Sequence, residues 1–131
     1  MKKIFYAIAA MFLALGLSSC NGEIKDVKIG NLVGTWDLVS RTTVTLDGKT
    51  NQTSYNQGDE YLVIEQSKIT FGYGNRTTSY PFSFGDPYFI VDGNSQYELV
   101  KLTRNEMILK DNSLIGSLLT KEQTLTYQRR K

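Results

Sequence analysis

Few residues in this 131-residue chain could carry chemistry, and the ones that are missing say most. Histidine is absent. That removes the commonest general base and metal ligand, and with it any Ser–His or Cys–His nucleophile. Cys20 is the single cysteine, so neither an intramolecular disulfide nor a cysteine-based zinc site can form. No phosphate-binding or calcium-binding loop occurs. Asp59-Glu60 is the nearest approach to a pair of acid–base carboxylates, and it reads as the solvated end of a loop. Arg129-Arg130-Lys131 reads as a frayed basic terminus. The residues therefore point away from an enzyme and call for no metal and no cofactor. What remains is tyrosine. Tyr55, Tyr61, Tyr73, Tyr80, Tyr88 and Tyr97 offer flat apolar area with a polar tip, suited to lining a binding surface as well as to half-buried strands.

Composition sets the frame for those side chains. All four alanines, Ala7, Ala9, Ala10 and Ala14, precede Cys20. The rest of the chain is rich in threonine, tyrosine, valine and isoleucine, a bias toward strands. Setting aside Lys2 and Lys3, the chain has 13 basic and 13 acidic residues. That balance lacks the basic surplus of a nucleic-acid binder.

Residues 1–19 have the layout of a secretory signal peptide. Lys2 and Lys3 lead an apolar run, Ile4 to Leu17, that small residues close. The run is shorter than the roughly 20 apolar residues of a membrane span. Leu17-Ser18-Ser19-Cys20 resembles a bacterial lipobox. The resemblance implies that the Cys20 thiol receives a diacylglyceryl group, that cleavage precedes Cys20 and that the new amine is acylated. Several acyl chains would hold the protein firmly at a membrane. Asn21, after the cysteine, favours the outer membrane, with the periplasmic and external faces both open. Residues 20–30 then form the acylated N-terminus and a polar tether. Within it, Asp26 to Asn31 either makes a helical turn or lies against the floor of the domain that follows.

That domain, residues 31–131, reads as strands. From Trp36 the alternate positions Trp36, Leu38, Ser40, Thr42, Val44 and Leu46 make one face, and Asp37, Arg41, Thr43 and Thr45 the other, with Val39 the exception. Asp47-Gly48 is a hairpin turn. A short strand near 50–54 and a loop follow. Seven further strands are predicted over 60–66, 68–73, 77–84, 88–91, 95–103, 106–110 and 123–130, separated by Gly74-Asn75, Gly85-Asp86-Pro87, Asp92-Gly93-Asn94 and Arg104-Asn105. With the Trp36 strand they make eight. The expectation is an all-β fold, a small eight-stranded antiparallel up-and-down barrel. Pro81 marks a bulge or an edge. Alternation turns Leu38, Val44, Leu62, Ile64, Phe71, Tyr73, Tyr80, Phe82, Met107 and Leu109 inward. Over 95–103 either Tyr97 and Leu99 or Val100 and Leu102 face in. Residues 113–119 (SLIGSLL) fit a hairpin, a short helix or an apolar lip.

Gly34-Thr35-Trp36 at the head of the first long strand resembles the G-x-W motif of lipocalins. The pattern is most similar to small lipocalin-like lipoproteins of Bacteroides-type bacteria. The resemblance rests on Leu32-Val33-Gly34-Thr35-Trp36-Asp37-Leu38, on Leu102-Thr103-Arg104-Asn105-Glu106-Met107 and on a basic residue in the last strand. It spans about residues 31–130. It implies that Gly34 and Trp36 close one end of the barrel while a last-strand arginine stacks on the indole, a contact worth about 0.5–2 kcal/mol. Arg129 shares a face with Leu125 and Tyr127 and is chosen over Arg130. The chain is shorter than vertebrate lipocalins and lacks their disulfide and C-terminal helix.

Two functions follow as expectations. In the first, a lipid-anchored barrel binds a small hydrophobic or amphipathic ligand through the inward residues named above. In the second, a solid barrel docks an envelope protein through loop 49–59 and through Leu114, Ile115, Leu118 and Leu119. In either case, function belongs at the mouth opposite Trp36.

Overall fold

The computed structural model describes residues 22–112 and 120–130. The polar and glycine-containing breaks in the sequence are where the chain reverses. A single helical turn, α1 (Ile29–Leu32), leads into β1 (Gly34–Thr45), β2 (Thr50–Ser54), β3 (Glu60–Ile64), β4 (Lys68–Tyr73), β5 (Arg76–Gly85), β6 (Tyr88–Val91), β7 (Ser95–Leu102), β8 (Glu106–Asp111) and β9 (Thr120–Arg129). Each strand from β3 to β9 pairs antiparallel with the next, and β9 returns to β1. β1 and β3 to β9 thus close an eight-stranded up-and-down barrel. β2 is a ninth strand outside that closure.

β1 organises the barrel because it has different neighbours along its length. Gly34 to Asp37 pair with β3, and Ser40 to Val44 pair with β2 on the same side. β9 runs along the other side from Trp36 to Thr45. The upper halves of β2, β1 and β9 therefore form a flap that rises past β8, whose pairing with β9 stops at Lys110.

A bulge in β1 overturns one expectation. Leu38 pairs with Tyr127 and Ser40 with Thr126, so Val39 is an extra residue in the ladder. One inserted residue exchanges the two faces for everything downstream. Leu38 stays inside, but Arg41 now pairs with buried Leu125 and turns inward, while Val44 pairs with Glu122 on the outer face. The predicted inward position of Val44 and outward position of Arg41 are both corrected. β7 carries a second bulge between Leu99 and Lys101. It lets Tyr97 and Leu99 face in, exposes Val100 and returns Leu102 to the core. The first alternative holds for Tyr97 and Leu99, and of the second only Leu102 faces in.

The floor is packed solid. Leu32, Trp36, Leu38, Leu62, Ile64, Ile69, Phe89, Leu102, Met107 and Leu109 are buried, with Phe82 stacked on Phe89. α1 lies across this end and supplies Leu32. The segment expected as a tether also docks here. The Ile24 N–H donates to the Leu102 carbonyl at 2.7 Å, the Val27 N–H donates to Asp86 at 3.1 Å, and the Val27 side chain is buried. Ile24, Val27 and Ile29 give that segment apolar surface of its own to bury. Pro81 marks the place where the wall loses its second partner. β5 pairs with β4 from Arg76 to Pro81, but with β6 only from Phe82 onward. The upper part of β5 therefore borders a notch in the wall.

Candidate functional site

The closed end is built around Trp36, which is fully buried and donates its indole N–H to the Leu32 carbonyl at 2.8 Å. The Arg129 guanidinium lies 4.1 Å from the indole ring centre. Its nitrogens donate to the carbonyls of Arg104, Val33 and Asn31 at 2.8, 3.0 and 2.9 Å. One side chain thus ties together β9, the β7–β8 turn and the entry to β1. Burial holds its pKa below the ordinary guanidinium value. Gly34 is where that guanidinium passes closest to the backbone: a Cβ there would sit 2.7 Å from Arg129 Nη1, and φ is +143°. This end is a clasp: the indole N–H and the Arg129 nitrogens are engaged by backbone carbonyls, and a cavity of about 310 Å³ lies beside it along β1, bordered by Asp37, Val39, Gln128 and Arg130.

Arg130, expected to fray, is also fixed. It pairs with buried Asp37 and lies over the Tyr61 ring at 5.0 Å. Tyr61 in turn covers Gly72, where any Cβ would fall within 2.5 Å of the ring. Lys131 lies outside the described residues.

The other end is open. A cavity of about 330 Å³ occupies the notch beside β5, lined by Phe71, Tyr73, Thr78, Tyr80, Val91, Asp92, Asn94, Ser95 and Tyr97. A second, of about 160 Å³, lies deeper and shares Phe71, Tyr73 and Tyr97 with the first. Arg41, Glu60, Asp111, Gln123 and Tyr127 are among its other lining residues. Below these, between Leu62, Ile69, Phe89 and Leu109, only about 10 Å³ remains. Phe71 meets Tyr80 edge-on at 5.9 Å and Tyr97 at 6.3 Å, forming one aromatic wall.

Opposite stands Arg41, delivered inward by the bulge at Val39. It pairs with Glu60 at 3.0 Å and donates to the Tyr55 hydroxyl at 2.8 Å, while its Nε–H is buried without an acceptor. Glu60 is therefore not the solvated loop end its neighbourhood suggests. Burial works to lower the pKa of Arg41, but Glu60 and Tyr55 outweigh it and the value rises. Burial, with Asp111 adding to it, pushes the Tyr97 phenol up to about 12. Burial likewise raises Tyr127 and Tyr73.

These shifts predict an alkaline limit on stability. Between 10, the ordinary phenol value, and about 12, Tyr97 keeps its proton when folded and loses it when unfolded. The unfolded state then binds fewer protons, so stability falls as pH rises through that window and is unaffected below it. The loss should be on the order of 2 kcal/mol from Tyr97 alone. A phenolate absorbance titration should show a late class of tyrosines ionising together with loss of circular dichroism. A single early wave with the fold intact would contradict this.

Of the inward residues predicted to meet a ligand, the structure brings Phe71, Tyr73 and Tyr80 to the mouth. Leu38, Leu62, Ile64, Phe82, Met107 and Leu109 are buried in the floor, and Val44 is outside. Cys20 and the apolar segment 113–119 lie outside the described residues. Arg41, Gln123 and Asp111 were not singled out by sequence. The adjacent apolar pair Leu38-Val39, which breaks the alternation, is the signal that would have found Arg41. Among the described residues, no helix is long and apolar enough to cross a membrane, and no cluster of three or more Asp, Glu, His or Cys side chains is placed to hold a metal ion.

No protein-family model matches the chain, and no curated protein matches it. Among solved structures, the chain is similar to the crystal structure of a protein of unknown function from the DUF3598 family of Nostoc punctiforme PCC 73102, with TM-score 0.50 and 12% identity. The alignment covers 82% of this chain and 51% of that one, so the chain spans about half its length. At that identity the likeness concerns the fold alone.

Proposed function

We propose that the protein is a lipocalin-like binding module, anchored to the bacterial outer membrane through acyl chains on Cys20, that holds a small amphipathic ligand at its open mouth. One observation carries the binding role. The floor is filled, yet the mouth keeps a cavity of about 330 Å³, within the size range of small-molecule sites. Its walls combine an aromatic surface with a few convergent polar groups, the usual composition of such sites. The anchor is supported by the Leu17-Ser18-Ser19-Cys20 motif behind an apolar leader. Position agrees with both roles: Ile24 and Val27 dock at the closed end, so a membrane tether leaving there directs the mouth away from the bilayer.

Native mass spectrometry of protein purified from its own membranes tests the binding role. A small noncovalent adduct that denaturation releases is the expected result, and bare protein mass in every preparation would contradict it. For the anchor, Cys20→Ala should block lipoprotein processing, release or mislocalise the protein and abolish the mass added by acylation. Unchanged fractionation and mass would refute it.

A further inference from the structure

We infer that the ligand of the mouth is a neutral, hydroxyl-rich ring, a sugar in its pyranose form, and not a fatty acid. The inference rests on the mouth being a binding site and adds the class of what it binds.

Depth argues against an acyl chain. A long alkyl tail needs an apolar shaft, and below Phe71 and Tyr97 the barrel offers only about 10 Å³. The space at the mouth is the pair of adjoining cavities of about 330 and 160 Å³ near the rim, wide and shallow.

Charge argues the same way. The inner cavity has one cation, Arg41, and it is already held by Glu60. Asp111 lines the same cavity and Asp92 the outer one. An incoming carboxylate would have to displace Glu60 from a half-buried ion pair in a cavity that Asp111 also lines, a costly arrangement. A hydroxyl group avoids that conflict, because it donates to a carboxylate and accepts from a guanidinium or amide. Gln123, on the inner cavity, contributes both an acceptor and donors.

The two walls match the two aspects of a sugar ring. On one side, Tyr73 is 53% exposed and adjoins the Phe71–Tyr80 pair, leaving flat ring surface open at the rim. Such a surface suits the C–H face of a pyranose. On the other side is the flap. By register, Thr43 shares the face of Arg41 and pairs with Asn51 and Gln123, while Thr53 pairs with Arg41. Of these, Arg41 and Gln123 line the inner cavity, a guanidinium and an amide with the chemistry to read ring hydroxyls.

Saturation-transfer NMR on the purified mature domain tests the inference. The methyl β-glycosides of glucose, galactose, mannose and N-acetylglucosamine serve as probes, with palmitate in parallel. At least one glycoside should receive saturation, strongest on the protons of one ring face, and palmitate should not displace it. Tyr73→Ala and Gln123→Ala should each weaken that binding about tenfold, and unchanged thermal unfolding would show the barrel intact. No transfer to any of the four glycosides overturns the sugar assignment. If palmitate then binds in a way that Tyr73→Ala weakens, the mouth remains a binding site with a different ligand. If neither probe class binds and native protein carries no adduct, the binding role falls as well.

Discussion

Trp36→Ala is expected to lower the unfolding free energy by about 4 kcal/mol, the usual cost of deleting a large buried aromatic ring. The indole is fully buried, fills the closed end, supports the Arg129 guanidinium at 4.1 Å and donates to the Leu32 carbonyl at 2.8 Å. Its removal opens a cavity beneath α1 and leaves that carbonyl without its donor. For a domain whose total stability is about 5–15 kcal/mol, such a loss is a large fraction. Urea unfolding followed by circular dichroism measures it. Trp36→Phe keeps most of the apolar volume and should lose about half as much. A cost under about 1 kcal/mol for the alanine variant would mean that the floor does not depend on this residue.

Gly34→Ala is the second large effect, expected at about 3 kcal/mol, because two penalties coincide. An L-residue at φ +143° is strained, which costs about 1–3 kcal/mol. The new Cβ would also lie 2.7 Å from Arg129 Nη1. That nitrogen cannot retreat without lengthening its bond to the Val33 carbonyl and shifting the guanidinium off the indole. A double-mutant cycle separates the causes. With Arg129→Ala in place the steric conflict disappears and only backbone strain remains, so Gly34→Ala should then cost about 1 kcal/mol less. Strict additivity would show that the glycine is required for its backbone alone. Urea midpoints of the four proteins give the answer.

The strand succession was legible from turn residues and alternation. Asp47-Gly48, Gly74-Asn75 and Asp92-Gly93-Asn94 all fall where the chain reverses, because they tolerate the dihedrals that tight turns need. The arrangement at the closed end was an expectation carried by the resemblance of Gly34-Thr35-Trp36 to the G-x-W motif, and there the Arg129 guanidinium lies 4.1 Å from the indole. The open end was not legible. Its composition depends on the bulge at Val39, and a bulge is a property of two strands in register. Alternation along one strand cannot reveal which residue the partner skips. The apolar doublets Leu38-Val39 and Leu99-Val100 mark both positions in retrospect. Glu60 was misread for a related reason: its burial comes from Arg41, a residue 19 positions away whose direction the bulge reverses.

The division of labour between the two ends is what this architecture most clearly predicts. At the clasp, the indole N–H and the Arg129 nitrogens are engaged with backbone carbonyls. At the mouth, tyrosine faces and the Arg41–Glu60 pair line open space. Trp36 is the sole tryptophan, so its indole N–H gives one identifiable NMR resonance at the closed end. The most direct measurement compares nitrogen-15 spectra of the protein with and without the methyl glycoside that receives the strongest saturation. Shifts should concentrate at Phe71, Tyr73, Tyr80, Tyr97 and Gln123, with the Trp36 indole signal unmoved. Shifts centred on Trp36, Gly34 and Arg129, with the mouth silent, would contradict the assignment of function to the open end.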